Sequence, residues 1–330
     1  MQIKQNDTYL DEAPLVSFII PVYDLPVQLL QACIDSIRAL SLRVREREII
    51  LIDDGSPHPA TPLLAEYGDE VIYVHKPNGG VSTARNMGLR MATGKYVQFV
   101  DGDDKLLRTG YEHVLDMMRY ENVDVVMFDF STTECAEMNY DDEPATTGRE
   151  LLRNSNIRGA TWSYLFRRLA AGELMFTPGI AYGEDEEFTP QLLLRADCVI
   201  RTTAKAYYYR PRMLSAIHDH SMRKRLQRLN DAQTVIKRLF LLADTMPAGE
   251  HAALLRRVHQ LAMDYIYNII LLTQNRHYLD RKLNELRKMN LYPLPKRDYT
   301  KKYTWFRRLS STSLGISMLM RTIPLMHKER

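Results

Sequence analysis

Asp101-Gly102-Asp103-Asp104 places three carboxylates within four residues. Such a cluster repels itself unless a cation or hydrogen-bond donors offset the charge. Hard divalent ions such as Mn2+ or Mg2+ take oxygen ligands, often one or two carboxylates completed by a substrate's phosphates. The segment suits that task, and Gly102 lets its backbone turn tightly. A solvated acidic turn capping the next helix is the competing reading. Asp53-Asp54-Gly55-Ser56 offers two adjacent acids that can accept from a base imino group or a ribose hydroxyl. A β-turn with Asp first and Gly inside it explains Gly55 and Ser56, but less readily the paired acids. In the segment from Asn78 to Asn86 (NGGVSTARN) a glycine loop through Gly80 runs into a helix, where amide groups and Arg85 both favour phosphate. Tyr182-Gly183-Glu184-Asp185-Glu186-Glu187 sets four acids at a helix start, where the helix dipole favours them.

These clusters need a frame that brings them together. Val16–Val22 (VSFIIPV) is a continuous apolar run, as expected of a strand buried on both faces. Residues 48–52, 70–75, 96–100, 123–130 and 199–209 read as further strands. Residues 25–40, 81–91, 108–120 and 184–195 have helical spacing. Strand and helix alternating at this rhythm predict an α/β fold with a mostly parallel sheet flanked by helices. In such sheets ligands bind outside the carboxyl ends of the strands, and the acidic clusters fall at those ends. No glycine-rich turn follows the first strand, which argues against a dinucleotide site, and there is no P-loop. Residues 131–149 read as a polar loop. Residues 223–243, 250–274 and 277–289 form amphipathic helices, so the division expected is 1–220 and a helical, basic C-terminal region, 221–330.

The composition, 45% hydrophobic and 26% charged, excludes fibrous and disordered classes. No apolar stretch approaches the roughly 20 residues of a membrane span, and the first residues lack a signal-peptide pattern. Cys33, Cys135 and Cys198 are too few and scattered for a disulfide framework or a zinc cluster. A cytoplasmic protein with free thiols is the expectation. The net charge of +3 hides a split: residues 1–220 carry 22 Lys and Arg against 33 Asp and Glu, and residues 221–330 carry 22 against 8.

The ordered motifs SFIIPVYD, IDDGS, NGGVSTARNMGL, YVQFVDGDD and YGEDEEF resemble those of the family 2 inverting glycosyltransferases, of glycosyltransferase-A fold, over about residues 15–215. The resemblance implies transfer of a sugar from a nucleotide-sugar donor, a UDP-sugar by preference, to a saccharide or lipid-linked saccharide hydroxyl with inversion. It implies a place in bacterial surface polysaccharide or glycoconjugate synthesis. By position it assigns Pro21, Val22 and Tyr23 to the base pocket, and Asp53 and Asp54 to the base or ribose. Asp101, Asp103 and Asp104 become the Mn2+ or Mg2+ and diphosphate cluster, with Asp103 the direct ligand, and Asp185 becomes the general base. His218, in the stretch that closes over the donor in relatives, is a further candidate ligand. The rivals are a sugar-nucleotide or nucleotidyl transferase, a non-catalytic member of the same fold, and a nucleic-acid-binding protein using the basic tail. The last lacks a recognisable module, and no nucleic-acid partner is expected.

Residues 296–330 carry 9 Lys and Arg against 2 Asp and Glu, interleaved with Tyr299, Tyr303, Trp305, Phe306 and Leu309. That mixture suits either the headgroup region of an anionic membrane, at the inner face of the cell membrane, or a basic tail packed on the rest of the protein.

Overall fold

The computed structural model describes residues 13–134, 139–211, 221–297 and 299–328. Contacts divide the chain into two compact units: residues 1–148 with 158–213, and residues 149–157 with 214–330.

In chain order the first unit and its boundary run β1 (Val16–Val22), α1 (Val27–Arg38), β2 (Arg47–Asp53), α2 (Thr61–Leu64), β3 (Val71–His75), α3 (Val81–Met91), β4 (Tyr96–Phe99), β5 (Lys105–Leu106), α4 (Arg108–Tyr120), β6 (Val125–Ser131), α5 (Gly148–Asn154), β7 (Tyr164–Arg167), α6 (Arg168–Ala171), α7 (Glu184–Leu194) and β8 (Val199–Tyr208). One sheet of eight strands has the order β3-β2-β1-β4-β7-β6-β8-β5. β1 lies parallel to β2 and β4, β2 to β3, and β6 to β8. β7 is antiparallel to both β4 and β6, and the two-residue β5 is antiparallel to β8. Six of the eight strands thus run the same way, the mostly parallel sheet that the alternating pattern predicts, and β7 and β5 run against them. β7 is a four-residue YLFR run too short to show a period.

The central strands are apolar throughout because both faces are covered. Phe18, Ile19, Ile20, Ile49, Ile50, Leu51 and Ile52 have no exposed surface. The polar Gln98 is tolerated at the same depth because its bonds are satisfied. Its amide donates to the Phe99 and Trp162 carbonyls (2.7 and 2.9 Å), and its Oε1 accepts from the Tyr111 hydroxyl (3.1 Å). Register brings Val22, Asp53 and His75 side by side at one end of β1, β2 and β3. β4 leaves the ladder at the Ile19–Phe99 pair, while β1 continues to Val22 beside β2 alone. Pro21, which lacks an N–H, sits in that one-sided stretch.

The second unit holds α8 (Met222–Asp244), α9 (Ala248–Thr273), α10 (Arg276–Lys288), α11 (Lys301–Ser310) and α12 (Ser313–Lys328). Side chains of Ser221, Asn275 and Thr300 cap α8, α10 and α11. α9 buries Leu254, Val258, Leu261, Ala262, Tyr265, Ile266 and Ile269, a helical stripe. The segment 149–157 belongs here: Arg256 donates to the Leu152 carbonyl (3.2 Å) and to Asn156 Oδ1 (2.9 Å). Tyr303 and Phe306 are buried within this unit, and the Tyr299 hydroxyl donates to the Arg256 carbonyl (2.9 Å). The apolar side chains left outside are Trp305, Leu314, Met318, Leu325 and Met326.

Candidate active site

The acids after β4 and at the start of α7 converge on one buried cation. Arg85 stands on α3 and is 3% exposed. Its Nη2 reaches Asp101 Oδ1 (3.1 Å), and its Nη1 reaches Glu184 Oε1 (3.0 Å) and Asp185 Oδ1 (2.6 Å). The guanidinium also lies 5.8 Å from the Phe99 ring centre and 5.4 Å from that of Phe176. One cation thus ties the loop after β4 to the first turn of α7. The sequence reading gave Arg85 to phosphate. In the folded chain its guanidinium faces three carboxylates, and it holds the site together.

Three acids around one cation leave net negative charge, and the two buried ones, Glu184 and Asp185, gain proton affinity. Burial, reinforced by Asp185, lifts Glu184 to about 7 against the pull of Arg85. Burial also raises Asp185, with Arg85 opposing and Asp101 adding to the rise. Arg85 itself is held firmly charged: the three carboxylates outweigh the cost of its burial. Asp185 is fixed from a second side by the turn before β7. It accepts from the Thr161 amide at Oδ2 and from Thr161 Oγ1 at Oδ1, both 3.1 Å. Thr161 escaped the sequence reading, because nothing in the local sequence marks it.

Trp162, the next residue, stacks on Tyr207 with ring centres 4.4 Å apart and 16° between planes. The Tyr207 hydroxyl accepts from the Asp101 amide (3.0 Å) and donates to Asp104 Oδ2 (2.9 Å). Asp104 also accepts the Arg210 amide (2.8 Å) and is 1% exposed. Burial, then the charges of Asp101 and Asp103, push its carboxyl up to about 8. Asp104 is thereby turned away from solvent, contrary to its expected place in a metal cluster. Gly102 serves by closeness, since a Cβ there would stand 2.6 Å from Val22 Cγ1 and 3.0 Å from Leu25 Cδ2.

Among the described residues no three His, Cys, Asp or Glu side chains group as a metal-holding set. Asp101, its side chain 30% exposed, and the half-buried Asp103 remain as oxygen donors. Two carboxylates fit a hard cation that draws its other ligands from phosphate and water. His218 lies outside the described residues.

The acids after β2 hold loops. Asp53 is 1% exposed and accepts the Ser56 amide (2.8 Å) and the Tyr73 hydroxyl (2.7 Å), with His75 Nδ1 at 3.2 Å. Burial raises its carboxyl, but these donors outweigh it and leave Asp53 below the usual range. Asp54 accepts the amides of Gly79 (3.0 Å) and Gly80 (2.7 Å) and pairs with Lys76. Gly80, at φ 85°, takes a left-handed turn that aims its amide at that carboxylate before α3 begins. Asp24 donates its amide to Ser56 Oγ (2.9 Å), joining the loops after β1 and β2. Of the three base-pocket candidates, Pro21 is half-buried, Val22 packs inward and Tyr23 is 56% exposed.

A mixed α/β sheet with carboxylates gathered beyond its strand ends is the glycosyltransferase-A architecture. S. aureus TarS 1–349, solved in complex with UDP-GlcNAc, superposes with a TM-score of 0.67 at 15% identity, covering 96% of this chain and 92% of that one. The Pyrobaculum calidifontis mannosyltransferase PcManGT, solved with GDP-Man and Mn2+, gives 0.55 at 16% identity over 95% and 85%. Residues 17–174, just under half of the chain, match the profile of glycosyl transferase family 2. The glycosyltransferase EpsJ of Bacillus subtilis is 28% identical over 269 residues, 76% of this chain and 77% of that protein. The minor teichoic acid biosynthesis protein GgaB of Bacillus subtilis is 38% identical over 104 residues, 30% of this chain and 11% of that protein.

Proposed function

We propose that this glycosyltransferase moves a sugar from a UDP-sugar to a hydroxyl of a saccharide or lipid-linked saccharide, with inversion, in bacterial surface polysaccharide or glycoconjugate synthesis. The observation that carries the reading is Arg85, which ties Asp101 and Asp185 to one point beyond the strand ends. The donors held by TarS and PcManGT and the teichoic acid role in the name of GgaB support the substrate classes.

Asp185 is the base. Arg85 and Thr161 fix both of its oxygens, and burial raises its affinity for the acceptor's proton toward the working pH. A single carboxylate base with no carboxylate nucleophile agrees with one in-line displacement. Asp103 and Asp101 would hold Mn2+ or Mg2+, which supplies charge stabilisation for the departing diphosphate. Pro21, Val22 and Tyr23 take the base, with Asp53 and Asp54 shaping that loop. The catalytic domain is the unit of residues 1–148 and 158–213, and the helical domain takes 149–157 together with 214–330, so 149–157 leaves the expected 1–220 division.

Among the described residues no helix is long and apolar enough to cross a membrane. Peripheral contact through 296–330, at the inner face of the cell membrane, is part of the proposal. It is supported by Leu314, Met318 and Leu325, which share one outward stripe of α12 with Arg321. Co-sedimentation of W305E/L314E/M318E with anionic liposomes at low salt should fall well below that of the native chain. Native protein that stays in the supernatant removes this part.

The main test is a thermal-shift and hydrolysis screen of UDP-, GDP- and dTDP-sugars with Mn2+ and Mg2+. A UDP-sugar with metal should give the largest response. Silence toward every nucleotide sugar overturns the reading.

A further inference from the structure

The opposite end of the same sheet carries a cavity of about 880 Å3. Its wall is built from the residues that enter β1, β2 and β4 and leave the antiparallel β7. Backbone bonds make that wall rigid: Leu15 N to Glu46 O (2.8 Å), Lys95 N to Pro14 O (2.9 Å) and Arg168 N to Lys95 O (3.0 Å).

Three cations face this space without a carboxylate partner among the described residues. Among the described residues the exposed Arg45 and Lys95 take part in no side-chain hydrogen bond or ion pair, and Lys95 Nζ lies 5.8 Å from the Tyr96 ring centre. Arg168 spends only its Nε, on the Gly94 carbonyl (2.9 Å). Arg167, beside them, is occupied by Asp124 (3.0 Å) and Asn122 (2.8 Å). Glu46, the acid on the wall, has its carboxylate on the Arg43 amide (2.8 Å). Residues 1–220 hold 33 acids against 22 Lys and Arg, and Arg38, Arg47, Lys76, Lys105, Arg158 and Arg201 all have acidic partners there. Where carboxylates are in excess, three neighbouring cations that find none mark a place suited to an external anion.

The wall between the cations is apolar. Ala13, Pro14 and Leu15 form it, with Leu169 on the rim 80% exposed. The volume suits a small organic molecule rather than a bare ion. We propose that the cavity binds a phosphate monoester carrying a hydrocarbon chain. The phosphate lies among Arg45, Lys95 and Arg168, and the chain runs along Pro14, Leu15 and Leu169. The two donor-rich ends of Arg45 and Arg168 suit phosphate better than a carboxylate of single charge.

Calorimetric titration of the full chain with dihexanoyl phosphatidic acid, kept below its micelle threshold, tests this. Saturable binding is expected, at least tenfold tighter than that of inorganic phosphate or of dihexanoyl phosphatidylcholine. R45E/K95E should weaken it at least tenfold while leaving UDP binding unchanged, because neither side chain supports the fold. If that double variant melts early, K95Q carries the same comparison with a loss of about threefold. Flotation with phosphatidic acid vesicles separates the two sources of this chemistry. Flotation lost in R45E/K95E assigns a bilayer headgroup, and monomer binding without flotation assigns a soluble lipid phosphate. Either supports the site. No saturable binding overturns it, as does equal binding by R45E/K95E, or equal affinity for inorganic phosphate or the phosphatidylcholine.

Discussion

The two ends of the sheet in the first unit are made of similar loops and carry opposite charge. At the carboxyl ends, acids from two distant segments meet one cation that water does not reach. At the amino ends, cations line an open cavity and remain exposed. The first arrangement is costly, since buried charges repay their dehydration only when geometry and hydrogen bonds are good. The second costs little, because exposed cations keep their water. A costly cluster in which Glu184 and Asp185 are both raised suits the proton-transfer role proposed above for Asp185.

That contrast can be broken in four places. The largest effect is expected from Asp185→Asn, which keeps shape and removes proton affinity. Transfer should drop roughly 10²–10⁴-fold with donor affinity nearly unchanged, whereas R45E/K95E should transfer normally. Wild-type turnover by the Asp185 variant would move the base elsewhere. Next is Arg85→Met. It strands Asp101, Glu184 and Asp185 without their cation and should destabilise the fold by about 3–5 kcal/mol at neutral pH, read by urea unfolding. The sign with pH follows from raised carboxyls. Their charged forms are the costly ones, so the deficit should shrink as pH falls from above 7 toward the ordinary carboxylate range. A deficit that grows on acidification would mean the cluster is not what Arg85 stabilises.

Asp103→Ala comes third. It should abolish the Mn2+-dependent part of UDP binding in calorimetry and leave the melting temperature nearly unchanged, because this loop contributes little core. Undiminished binding with Mn2+ would take Asp103 out of the metal set. The smallest effect belongs to Thr161→Val. It removes one hydrogen bond to Asp185 and keeps the backbone one. A loss of about 1 kcal/mol, or roughly fivefold in transfer, is expected in steady-state rates. A loss as large as that of Asp185→Asn would place Thr161 in the chemistry itself.

What could be read beforehand follows the range of the physical signal. β1 and the middle of β2 are continuous apolar runs because both their faces are covered, and burial of that kind is written locally. α7 announced itself through four acids in its first turn. β7 did not, since four residues give no period and its antiparallel direction is set by neighbours far away in sequence. The same limit governed the site. Each acidic cluster was visible, but that residue 85 meets residues 101, 184 and 185 is a property of the folded sheet. Gly102 was legible as a necessity, though for a different reason: its neighbour Val22 leaves no room for a side chain. The aromatic tail stayed open between an interfacial and a packed reading because composition does not reveal that Tyr303 and Phe306 turn inward.

The excursion of residues 149–157 bears on how the protein comes into being. During synthesis this segment leaves the ribosome well before α8 and α9, the helices of its own compact unit, exist. Until they arrive, Asn156 and the carbonyl of Leu152 lack the donor that Arg256 provides. The sheet can close around β7 meanwhile, so the growing chain carries an unmatched loop that its last third must capture. Translation that halts between β8 and α9 should therefore yield a folded sheet with a protease-sensitive site at 149–157, and completion of the chain should erase that site.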